Sequence, residues 1–149
     1  MSIRARVEDA MFLWQNGRQE GAFLSALVAA AATSRRRFPD RKALSDREAF
    51  ERFLSAAHTV RLSVEYRGEV HPIEHVLYKW LRCELVHEGE IPVDIAFMPD
   101  DRPGSLSVRA GGAPEFVLKL SHGWLHHLIG AVVGAPENGA LFKSWRHDR

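Results

Sequence analysis

The chain has 149 residues, 46% of them hydrophobic and 26% charged, with a formal net charge of +1. That composition excludes a disordered or fibrous chain, and the length suits one domain whose core needs no staples. The near-zero charge excludes a uniformly basic surface, so any nucleic-acid contact must be local. The single cysteine, Cys83, excludes an intramolecular disulfide and fits a reducing compartment. The first ten residues carry charges where a secretion signal needs an apolar run. The longest apolar stretch, Phe23 to Ala32, is too short to span a bilayer. The expectation is a cytoplasmic protein with no membrane partner.

Ser2 is placed to cap a first helix, in which Ile3, Val7, Ala10, Met11 and Trp14 recur at helical spacing. Asn16-Gly17 interrupts it. A second helix carries Phe23, Leu24, Leu27, Val28 and Ala31, closes on Arg35-Arg36-Arg37 and stops at Pro39. Ser45-Asp46-Arg47-Glu48 reads as a capping box that opens a third helix with Phe50, Phe53, Leu54 and Ala57. The period then drops to two: Leu62, Val64 and Tyr66 share one side of a strand that Gly68 turns. Pro72 suits the first position of a fourth helix, through Ile73, Val76, Leu77, Trp80 and Leu81, ending near Gly89.

Three short strands follow, marked by Val93, Ile95 and Phe97, by Leu106 and Val108, and by Phe116 and Leu118. The turn cluster at 99–104 and Gly111-Gly112 separate them. Ser121 is placed to cap a last helix with Trp124, Leu125, Leu128, Ile129, Val132 and Val133, before Gly134. The expected fold is mainly α within the α+β class: about five helices, with a small antiparallel sheet inserted around residues 91–119. Residues 1–139 form the single domain, and 140–149 are a tail, polar apart from Leu141, Phe142 and Trp145.

The segment Tyr78-Lys-Trp-Leu-Arg82-Cys-Glu-Leu-Val-His87-Glu-Gly89 carries the most chemistry. It resembles the helix-ending Arg-x4-His motif of HEPN-type ribonucleases, and the run from Gly17 to Pro39 is similar to the first long helix of such proteins. The resemblance implies a HEPN-like helical bundle and metal-independent cleavage of RNA by a homodimer, with no cofactor. Arg82 and His87 are the implied catalytic residues, with Tyr78 and Glu84 as supporting candidates. The residue types suit the task. An arginine holds a phosphate through two parallel charge-assisted bonds, and a histidine moves protons near neutral pH. Many catalytic members carry Asn or another polar residue after the Arg, whereas this chain has Cys83.

Five residues on a regular helix set Arg82 and His87 roughly 140° apart. Either the helix unwinds before His87, which Gly89 favours, or the two residues serve different halves of a dimer. The alternative reading is a non-catalytic HEPN-like module that binds RNA or a protein partner.

Other clusters compete for attention. Arg35, Arg36 and Arg37, with Arg41 and Lys42 beyond, form the densest basic run and are candidates for gripping RNA phosphates, or else a solvated helix end. His71-Pro-Ile-Glu-His75 matches an inverted zinc-peptidase pattern, but Pro72 leaves His71 outside the helix. His122 and His126 share a helical face, without the neighbouring Glu of a protease. No metal site is expected from these. Cys83 lacks a base to activate it, and Trp14, Trp80 and Trp124 fall at core spacing.

Overall fold

The computed structural model describes residues 2–58, 61–111 and 117–145. Helix α1 (Ile3–Gln15) and helix α2 (Gln19–Arg37) form a hairpin. Asn16 caps α1 by donating from Nδ2 to the Phe12 carbonyl (2.8 Å), and Gly17 takes a φ of +72°. Ser2 stands at the first N-cap but makes no side-chain capping bond. The buried face of α2 is built of Ala22, Ala26, Ala29 and Ala30 around Phe23 and Leu27, and these small residues let α1, α3 and α6 pack against it.

Helix α3 (Asp46–Ala57) begins as expected: the Ser45 hydroxyl accepts from the Glu48 N–H at 3.2 Å. Strands β1 (Ser63–Tyr66) and β2 (Glu69–Pro72) pair antiparallel across a two-residue turn. Arg67 in that turn has a φ of +52°, unusual for a residue with a side chain. Its guanidinium grips both Asp94 oxygens (2.8 and 3.0 Å), while the Tyr66 hydroxyl donates to the same carboxylate at 2.6 Å. This bracket ties the hairpin to the later sheet and holds Asp94 below the usual carboxylate range.

The second hairpin strand is a correction. Pro72 does not begin the helix: it closes β2 and stands as the N-cap of α4 (Ile73–Val76). The helix continues as a π turn over Leu77–Arg82 and then as α5 (Cys83–Glu88). Gly89, at φ +77°, ends it. Leu77, Trp80, Leu81 and Leu85 are buried along this body.

The later strands form a mixed sheet, not an antiparallel one. β3 (Ile95–Met98) runs parallel to β5 (Leu118–Ser121), and β4 (Val108–Ala110) is antiparallel to β5 on its other edge. Alternating apolar residues specify a face and carry no information on strand direction. Val93 is 99% exposed in a turn, so β3 starts later than the alternation predicts. Phe116 and Gly112 lie outside the described residues. Helix α6 (Gly123–Val133) follows β5.

Ser121 does not cap α6. It is buried in β5, its hydroxyl accepting from Ser107 N and donating to the Ser105 carbonyl. Asp100 takes the capping role, its Oδ1 accepting from Gly123 N at 2.6 Å. A Cβ at Gly123 would stand 2.2 Å from the Ser105 carbonyl oxygen. Gly123→Ala is therefore expected to displace the 99–107 loop and cost about 1–3 kcal/mol, read as a lowered midpoint in thermal denaturation.

A 3-10 helix (Pro136–Leu141) closes the core through Asn138, which donates to Thr33 Oγ1 and the Val132 carbonyl, each at 2.9 Å. The expected tail docks on its own chain as far as residue 145. Phe142 is buried, Trp145 lies against its ring, and the Arg4 guanidinium sits 5.7 Å over Trp145. Residues 146–149 lie outside the described residues.

Candidate functional site

The Arg82 segment sits where the N-terminus of α3 meets the π turn. The extra residue of that turn keeps Leu77, Trp80 and Leu81 in the core while Tyr78, Lys79 and Arg82 stay nearer the surface. Such turns occur often at functional positions. The Arg82 guanidinium lies 5.2 Å over the Tyr78 ring, and Tyr78 in turn packs on Phe50 at 5.2 Å. Burial pushes the Tyr78 hydroxyl above its ordinary value, and the Arg82 charge pulls the other way.

The Arg82 Nε is buried, and no acceptor among the described residues reaches it. Asp46 is close enough to feel the Arg82 charge, but its Oδ1 already accepts from Arg35 (2.6 Å) and Arg41 (3.3 Å). Arg47, beside Asp46, adds a second cation near Tyr78.

His87 is exposed in the last turn of α5, and Glu84 is half-buried in its first. The helix does not unwind before His87: Cys83–Glu88 is regular α-helix. Arg82 and His87 therefore leave one chain about 140° apart.

The basic run of α2 is engaged within the chain. Arg35 donates to Asp46 and to the Phe38 and Leu44 carbonyls, locking the loop between α2 and α3. Arg36 reaches Asn138 Oδ1 at 3.1 Å. Arg37 makes a two-pronged pair with Glu137 (2.8 and 3.2 Å) and covers the Phe53 ring. Arg36 is exposed and commits only Nη1, whereas Arg35 and Arg37 each commit two or more of their nitrogens within the chain.

His71 lies on β2 and stacks on His75 at 5.3 Å, with Trp80 against both. His75 Nδ1 donates to Glu51 at 2.5 Å. His122 and His126 both present to the Trp14 ring. Among the described residues no group of three or more His, Cys, Asp or Glu is arranged to hold a metal ion.

One cluster was missed in the sequence: His58 from the end of α3, His127 from α6 and Glu74 from α4. Glu74 lines a cleft of about 490 Å³ together with Glu51, Arg52, Ser55 and Ala56, and its carboxylate lies 3.5 Å from His58 Nε2. Burial holds both imidazoles below their ordinary value, with the His58 charge adding to the effect on His127. Burial also raises Glu74, as does the neighbouring Glu51 charge. The available signal was weak: polar residues at separations of 16 and 53 positions have no period to betray them.

Fold and site together define an α+β protein with a half-buried arginine displayed on a π turn. The sequence profile of the Rv1289 family matches residues 2–141, so the chain belongs to that family. No curated protein and no solved structure matches it. No helix among the described residues is long and apolar enough to cross a membrane.

Proposed function

We propose that the protein is a metal-independent endoribonuclease of HEPN-like kind, working as a homodimer in which Arg82 of one copy holds the scissile phosphate and His87 of the other moves the proton. On this reading α1–α3, the α4–α5 body and α6 make up a HEPN-like bundle, and the two sheets are additions to it. The observation that carries the proposal is the orphaned Arg82 Nε. A buried guanidinium donor without an acceptor costs about 1–3 kcal/mol, and a phosphate oxygen arriving from outside would relieve it. The Tyr78 ring beneath the guanidinium helps to orient its planar fork.

His87 stands exposed in the last turn of α5, open to solvent and to an approaching partner. The second reading, a non-catalytic module binding RNA or protein, draws support from the divergence of Arg82 and His87 along one continuous helix. The two part on one experiment. Purified protein is incubated with total RNA in EDTA beside Arg82→Ala and His87→Ala. The proposal expects cleavage by the unsubstituted protein alone. RNA that is bound but intact in every lane, with binding lost in Arg82→Ala, would replace it with the binding module.

A further inference from the structure

We infer that His58 and His127, backed by Glu74, form an acid-released latch between the end of α3 and α6, separate from the Arg82 site. His58 Nδ1 lies 2.8 Å from His127 Nε2, and the two rings stack at 4.9 Å. Trp124 presents its face or edge to both rings, at 5.9 and 5.7 Å. The His58 side chain is only 7% exposed, and its Nε2 makes no hydrogen bond among the described residues. The charge nearest that nitrogen is Glu74 Oε2, at 3.5 Å.

An imidazole pair joined by one bond needs one donor and one acceptor, so it holds while at least one ring keeps a lone pair at the shared bond. The first proton taken up is accommodated. His58 then donates from Nδ1 to His127 and from Nε2 toward the Glu74 carboxylate. A second proton, on His127, sets two N–H groups face to face across the 2.8 Å gap. The bond is lost, and two cations share one part-buried site.

The surroundings offer little relief. On α4 the facing groups are Glu74 and His75, and His75 is already bonded to Glu51 of α3. Arg52 of α3 lines the same cleft, and Arg61 adds a cation near Glu74. On α6 the neighbours are Trp124 and His127 itself.

The sign follows from linkage. Both imidazoles stay neutral in the fold at pH values where the unfolded chain takes up protons. Their contribution to stability is therefore complete above about pH 6.5 and is lost as pH falls below it. Glu74, raised by burial, runs the other way on the acid side of the same range and offsets part of the loss.

The test combines NMR titration of the histidine ring protons with thermal unfolding from about pH 7.5 to about pH 5, the range in which histidine changes charge. His127→Gln is the comparison, since its amide bonds to His58 Nδ1 but takes up no proton. The latch expects both imidazoles to titrate below the ordinary value, with α6 amide signals shifting as the second proton binds. It also expects a smaller acid-induced fall in melting temperature in His127→Gln, where the second proton has no site. An equal fall in both proteins, or a pair that titrates at or above the ordinary value, overturns the inference. Should His127→Gln fail to fold, the titration of the unsubstituted protein decides alone.

Discussion

Mixing inactive Arg82→Ala with inactive His87→Ala should restore about a quarter of the unsubstituted RNA-cleaving activity, because half of randomly re-paired dimers carry one intact composite site out of two. The expectation comes from the regular α5 turn that separates Arg82 from His87 within a chain. Alone, His87→Ala should lose about a hundred- to ten-thousand-fold in rate, the usual contribution of a positioned proton-transfer group. Arg82→Lys should recover little, since an ammonium keeps the charge but loses the planar two-pronged grip and the stacking on Tyr78. Active single variants would sink the assignment. Inactive variants that never complement would place both residues of a site in the same chain, against the helix geometry.

The second large effect is on stability. Phe23→Ala should cost about 3–5 kcal/mol, a large share of the 5–15 kcal/mol that holds an ordinary domain together. Phe23 is fully buried, stacks on Phe97 of β3 at 4.3 Å and meets the edge of Trp14 at 6.5 Å. It therefore joins α1, α2 and the mixed sheet at one point, and neighbouring backbones cannot collapse into the void from three directions at once. Urea denaturation reads the loss as a lowered midpoint. A change below about 1 kcal/mol would mean that the helices and sheet do not share this core.

Periodicity carried most of the helical fold. Phe23, Leu27, Phe50, Phe53, Leu54, Trp124, Leu125 and Leu128, picked out by spacing alone, are all core residues. The Ser45 cap was legible because its partner lies three residues away. What escaped depends on partners distant in sequence. Strand direction in the mixed sheet is set by how the chain between β3 and β5 crosses over, and β4 on the far edge leaves no mark of that in its own residues. The capping of α6 by Asp100 spans 23 positions, so nearby Ser121 looked the better candidate. At the candidate site Arg82 and its place above Tyr78 were legible from their i, i+4 spacing, but its unbonded Nε depends on what surrounds it in three dimensions.

That turn has a consequence for tolerance of length change. A π turn holds one residue more than the α-helical ladder requires, and the six residues Leu77–Arg82 accommodate it without breaking the body between β2 and Gly89. Deleting one residue within that turn would let the ladder close as ordinary α-helix with everything beyond it facing as before, because the residue removed is the one that the wider turn had taken up. The same deletion made beyond the turn, in regular α5, finds no such slack and would swing His87 by about 100° while Arg82 kept its place. The π turn is thus the point at which this helix can lose a residue and keep its phase, with Ile73 and Val76 as its anchor.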